Sequence, residues 1–157
     1  MHKLLVICGP TATGKTDLAL QLAQDFSADI ISADSRQVYK GMDIGTGKDI
    51  PQNFKLQTSK FKISDRSVPY YTNGVTKIWG LDLADPDEDF SVSEYVRFAV
   101  PVIESSWKEN KLPIVVGGTG LYIRALLRPL VDITIPQDDQ LRQRLALLGV
   151  PQLQQEL

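Results

Sequence analysis

The chain has 157 residues, 43% of them hydrophobic, with 17 basic and 19 acidic side chains and a formal net charge of -2. That is one domain with enough apolar material for its own core, and the mild negative balance excludes a surface that is a nucleic-acid footprint throughout while leaving room for a local basic groove. A single cysteine excludes a disulfide framework and a thiolate metal cluster, and no apolar run nears the roughly 18 residues of a membrane span.

In chain order, "MHKLLVIC" holds a first strand at 3–8, too short for a signal peptide. Cys8, inside that strand, is expected to pack. The strand runs into "GPTATGKT", made of Gly9, Pro10, Thr11, Ala12, Thr13, Gly14, Lys15 and Thr16. A helix is predicted at 15–26 from the apolar spacing of Leu18, Ala19, Leu22, Ala23 and Phe26, followed by a buried strand at 29–33, "DIISA". Strand, helix, strand is the parallel α/β unit. From 40 to 76 the chain is polar and broken by turn residues, and "KFKIS" with "GVTKIWGLDL" suggests an exposed hairpin. Ser91 and Glu94 have capping-box spacing, so a helix should start at 92, with Pro101 bending or dividing it. "LPIVV", 112–116, suits a central parallel strand; "GGTG" and the helical "LYIRALL" follow. After the polar "RPLVDITIPQDD" another helix begins near Gln140. The expected fold is α/β, a P-loop NTPase-like parallel sheet flanked by helices with a small β-hairpin insertion.

Ligands of open α/β sheets bind beyond the carboxyl ends of the strands. Three segments meet that condition, "GPTATGKT", "ADSRQVY" and "GGTGLY", and they make one site if their strands are neighbours. In the first, Gly9 and Gly14 allow successive amides to point into one concavity, Lys15 adds a charge, and Thr16 offers a hydroxyl to a magnesium ion. The helix that follows presents its positive end to the same anion. Asp34 projects a carboxylate from a strand end: it can bind magnesium through water, accept a proton, or cap the turn at 35–39. Ser35, Arg36 and Gln37 carry donors and acceptors suited to a base edge or a backbone. Thr119 can serve a second oxygen cluster or cap the next helix.

Taken together, "GPTATGKT", "ISADSRQVYKGMDIGTGK", "FSVSEY" and "LPIVVGGTGLYIRALL" resemble the tRNA dimethylallyltransferase (IPP transferase) family in order and spacing. The resemblance spans nearly the whole chain and about the N-terminal half of a usual member, which continues into a helical RNA-gripping region. It implies a P-loop catalytic core over 1–157, with a variable insertion at about 48–80 and the start of that helical region at about 137–157. It further implies that the loop cradles dimethylallyl diphosphate and that an alkyl group moves rather than a phosphoryl group. The attacking group is the exocyclic amine of the adenosine beside the tRNA anticodon, in a base flipped from its stack. By the resemblance Lys15, Thr16 and Mg2+ steady the leaving diphosphate, and Asp34 takes the amine proton. Thr119 lies by the diphosphate, and Asp34, Ser35, Arg36, Gln37, Thr119 and Arg142 meet the RNA. Where the family usually has "HHL", this chain reads "WGL". A cytoplasmic monomer without membrane contact is expected. Two other readings follow from the phosphate loop alone: a small P-loop kinase acting on a metabolite, and an inactive nucleotide-binding homologue.

Overall fold

The computed structural model describes residues 2–63, 66–128 and 138–156. Its elements are β1 (Leu5–Cys8), α1 (Lys15–Asp25), β2 (Ala28–Ser32), β3 (Lys55–Ile63), β4 (Arg66–Thr72), β5 (Lys77–Trp79), α2 (Val92–Lys108), β6 (Leu112–Gly117), α3 (Gly120–Leu127), α4 (Asp139–Ala146) and α5 (Val150–Leu153). Of the polar stretch expected before α4, residues 129–137 lie outside the described residues.

The strands form one sheet in the order β1-β6-β2-β5-β4-β3. β1, β6, β2 and β5 run parallel, and β4 and β3 extend the sheet antiparallel. Every residue of β2 and all of β6 after Leu112 is buried, as continuous apolar runs covered on both faces must be. One face packs Ile30, Ile78, Ile114 and Val116 against Ala19 and Ala23 of α1. The other packs Ile31, Trp79 and Val115 against α2 and α3, through Tyr95, Phe98, Val102, Tyr122 and Ile123.

Ser91 starts α2 with the expected capping box: its Oγ accepts from the Glu94 amide at 3.2 Å and the Glu94 carboxylate accepts from the Ser91 amide at 2.7 Å. Pro101 does not divide this helix, which runs unbroken to Lys108. Pro101 and Arg97, four residues before it, are both exposed, so water can serve the carbonyl that the proline leaves unpaired.

Three expectations need correction. Cys8 is exposed at the end of β1, because β1 is the edge strand of the described sheet. On α1, Ala19 and Ala23 are buried against the sheet with Leu20 and Leu22 packed beside them, while Leu18 is 46% exposed and Phe26, just past the helix, 60%, so the packed stripe is narrower than the apolar spacing. And residues 60–63 do not pair with 74–83, Ser64 lying outside the described residues. β4 stands between them, pairing with β3 on one side and with β5 on the other, and β5 joins the parallel core beside β2. Pro69, which reads as a break, sits in β4 where pairing with β5 has ended and pairing with β3 is irregular, places that tolerate a residue without an N–H.

One charge lies inside the parallel core. Asp29 of β2, 1% exposed, accepts from Lys111 Nζ at 2.9 Å, from the Lys77 amide at 3.0 Å and from Ser106 Oγ at 3.3 Å. It thereby ties β5, α2 and the start of β6 together at the amino end of the strands. Removing it takes from the Lys111 ammonium its nearest carboxylate, leaving the Val75 carbonyl at 2.8 Å and Glu109 at 3.7 Å, and leaves the Lys77 amide and Ser106 hydroxyl without that acceptor, so Asp29→Ala should lower unfolding free energy by about 2 kcal/mol in urea denaturation. A loss well below 1 kcal/mol would show that this cluster does not hold the sheet together.

Candidate active site at the carboxyl edge of the sheet

The loop at 9–16 closes β1 and opens α1. Gly14, the residue before the helix, has φ +77° and Ala12 has φ +62°, two left-handed positions that curl the backbone back on itself. No side chain caps α1, which leaves its positive end to whatever lies in the loop. Thr13 Oγ1 donates to the Pro10 carbonyl at 2.9 Å, and Lys15 Nζ donates to the same carbonyl, which holds the ammonium over the loop.

The neighbouring strand ends are stitched together by backbone. The Ala33 amide donates to Val116 O at 2.7 Å, and the Thr119 amide donates to Ala33 O at 3.0 Å. Thr119 Oγ1 accepts from the Ser35 amide at 2.9 Å and lies 3.3 Å from Ser35 Oγ. Thr119 is therefore the residue before α3 by position, but its hydroxyl makes no cap bond and serves Ser35 instead. The approach is so close that a Cβ on Gly117 would stand 2.2 Å from the Ala33 carbonyl oxygen.

Asp34 leaves β2 half-buried, and its Oδ1 accepts from the amides of Arg36 at 2.8 Å and Gln37 at 3.4 Å. The turn-capping geometry is thus present on one oxygen, and neither amide engages Oδ2. Arg36 is exposed. Gln37 is held on all sides: Nε2 donates to the carbonyls of Thr46 at 3.2 Å and Gly47 at 2.9 Å, and Oε1 accepts from Ser32 Oγ at 2.8 Å.

An open cavity of about 480 Å³ gathers these groups. Thr11 through Thr16, Asp34, Gln37, Gly117 and Gly118 line it, together with Ser32, Thr46, Gly47, Lys48 and Asp49. Pro10, Ser35, Arg36, Thr119 and Arg142 are not among its lining residues, and Gly9 lines a neighbouring apolar recess with Cys8 and Leu127. Arg142 is exposed on α4, a helix with no buried residue. The wall at 46–49 is not marked by any sequence signal for a site. Its "GTGK" lies within the motif, but nothing local indicates that a polar, glycine-rich segment folds back to the end of β2.

Among the described residues no three His, Cys, Asp or Glu side chains converge as metal ligands. The oxygen donors that line the cavity, the hydroxyl of Thr16 and the carboxylates of Asp17, Asp34 and Asp49 among them, fit an ion such as magnesium. That ion keeps several waters and takes its remaining ligands from phosphate oxygens rather than from an all-protein cage.

Fold and cavity together define a P-loop NTPase-like α/β domain, in which the glycine-rich loop after β1 and the Asp34 carboxylate after β2, on either side of β6, line one cavity. A family model described as IPP transferase matches residues 37–157, and the chain belongs to that family. It is 41% identical over 157 residues to tRNA dimethylallyltransferase 1 of Syntrophus aciditrophicus (strain SB), covering 100% of this chain and 46% of that protein. It is 43% identical over 155 residues to tRNA dimethylallyltransferase of Acaryochloris marina (strain MBIC 11017), covering 98% and 45%. Among solved structures it is similar to the tRNA isopentenylpyrophosphate transferase of Bacillus halodurans, with 36% identity and a TM-score of 0.69 over 93% of this chain and 42% of that one. A eukaryotic dimethylallyltransferase acting on tRNA superposes with a TM-score of 0.66 at 30% identity, over 92% of this chain and 31% of its own. The chain thus spans a little under half the length of the curated relatives it matches.

The stitched strand ends give a direct test. Gly117→Ala forces β6 away from Ala33, so it should lower Tm by several degrees and abolish any stabilisation by a diphosphate ester. A variant with wild-type Tm and wild-type ligand response would show that the close approach is dispensable.

Proposed function

We propose that this chain is the catalytic core of an enzyme that transfers a dimethylallyl group from dimethylallyl diphosphate to the exocyclic amine of the adenosine beside a tRNA anticodon. The observation that carries the reading is that the phosphate loop and Asp34 line one cavity, in a chain of this family.

In the reaction the amine nitrogen attacks the first carbon of the prenyl group, the carbon–oxygen bond breaks, and diphosphate leaves. The departing oxygens gain negative charge, and the loop amides, the end of α1 and the Lys15 ammonium meet that charge in a partly enclosed space where such contacts are strongest. Asp34 takes the proton that the nitrogen must lose, and the geometry supports it: one carboxylate oxygen is anchored by two amides while the other remains to act as base. Thr16 would hold a magnesium ion, which would supply further neutralisation of the leaving group. Thr119 supports the same site through Ser35, and Ser35, Arg36, Gln37 and Arg142 form the RNA-facing side. α4 and α5, with no buried residues, begin the RNA-gripping region. No helix among the described residues is long and apolar enough to cross a membrane, and the enzyme acts on tRNA in the cytoplasm as a monomer.

Dimethylallyl diphosphate with magnesium should raise Tm, by an amount set by its affinity. In the protein made from the complete reading frame, Lys15→Ala and Asp34→Asn should each lower transfer to tRNA by about 100-fold to 10,000-fold. Lys15→Ala should also weaken the thermal response to the diphosphate, whereas Asp34→Asn should keep it. A native protein indifferent to the ester, or an Asp34→Asn enzyme with full turnover, would contradict the assignment.

A further inference from the structure

The cavity wall at 46–49 is held by a buried cation to which the transfer reaction assigns no role. The side chain of Lys48 is fully enclosed, 0% exposed. Its Nζ donates to Asp82 Oδ1 at 2.7 Å, to the Tyr39 carbonyl at 2.8 Å and to Asp43 Oδ1 at 2.9 Å. An ammonium has three N–H donors and all three are used, so Lys48 has none left for a phosphate oxygen although it borders the cavity. Burial works against its charged form, but the bonds to Asp82 and Asp43 outweigh burial and hold its pKa above the ordinary lysine value.

Asp82 is itself set in place from two directions. Its backbone takes a left-handed φ of +56°, which aspartate tolerates better than most residues, and its Oδ2 accepts from the Tyr71 hydroxyl at 2.6 Å. Tyr71 belongs to β4, in the stretch where the family resemblance implies a variable insertion. The wall that Lys48 anchors supplies the two carbonyls, Thr46 and Gly47, that hold Gln37 Nε2. Carbonyls only accept, so they dictate which end of the Gln37 amide is nitrogen. With both of its N–H groups and one Oε1 lone pair engaged, the glutamine keeps a single acceptor position.

We propose that Lys48 is a positioning residue: with Tyr71 of β4 it clamps segment 39–48 through Asp82 and so fixes the orientation of Gln37 in the cavity. The β3–β4 hairpin thereby becomes part of the acceptor side of the site, without touching substrate. The consequence for catalysis rests on the prenyl-transfer reading, whereas the clamp can be tested without it.

Two measurements on Lys48→Met and Tyr71→Phe decide the matter. Tyr71→Phe leaves every buried charge paired and should fold as wild type. By NMR, the Gln37 side-chain amide protons should be protected from solvent exchange in the wild type and lose protection in both variants, while the backbone amides of α2 keep theirs. Unchanged Gln37 protection in a folded variant overturns the clamp, whether or not the protein transfers a prenyl group. In the protein made from the complete reading frame, kcat/KM for tRNA should fall about fivefold in Tyr71→Phe and about 100-fold in Lys48→Met, with KM for dimethylallyl diphosphate within about twofold of wild type. Neither loss should add to that of Gln37→Ala, because the residues act through one group. Equal loss toward both substrates, or full additivity with Gln37→Ala, overturns the positioning role. Wild-type protein without any transfer activity removes the functional reading alone, and the exchange measurement still decides the clamp.

Discussion

The close approach of the Gly117 backbone to the Ala33 carbonyl is the constraint on which the site depends. With no side chain at 117, the carboxyl ends of β6 and β2 come near enough for the Ala33 and Thr119 amides to cross between them. Those bonds hold "GGTG" against "ADSRQ", and the Ser35–Thr119 contact follows from the same proximity. β6 also lies beside β1, so one strand relates the phosphate loop on one flank to Asp34 on the other. Without that approach the loop would keep its local turns, but nothing would bring the Asp34 carboxylate to the same cavity.

Polar groups on the acceptor side are satisfied in layers. Asp34 divides its carboxylate between a local turn and the cavity. Gln37 spends its amide on a wall of loop carbonyls, and that wall hangs on a lysine with every donor occupied. Such a network is rigid when complete and costly when partly broken, because each buried group left unpaired loses its hydration without recompense. The parallel strands have a second network of this kind at their amino ends, around Asp29. Thus both rims of an otherwise apolar sheet are pinned by buried polar contacts, while the faces between are packed by aliphatic and aromatic side chains.

Local elements were largely legible from residue patterns. The short apolar runs within β2 and β6 suited strands covered on both sides, the Ser91–Glu94 spacing marked where α2 begins, and the glycines around 9–14 marked a tight loop at the end of β1. Misreadings arose where a local rule met a non-local one. Pro69 looked like a break but lies at an irregular, partly unpaired point of β4. Cys8 looked like core but ends an edge strand. Leu18 and Phe26 fit the helical stripe yet stay largely exposed, while Ala19 and Ala23 are fully buried against the sheet and Leu22 packs there in part.

The sequence by itself determined the chemistry on offer: an anion loop, a carboxylate at a strand end, two glycine-rich turns and the helices behind them. Those signals are local, carried by residue type and short periodicities. Tertiary structure alone decided which strands are neighbours, that Thr119 serves Ser35 rather than its own helix, and that Lys48 is spent on Asp82. The partners in these contacts lie 84 and 34 residues apart. Spacing along a chain does not encode which distant groups will share a hydrogen bond; packing of the whole sheet does.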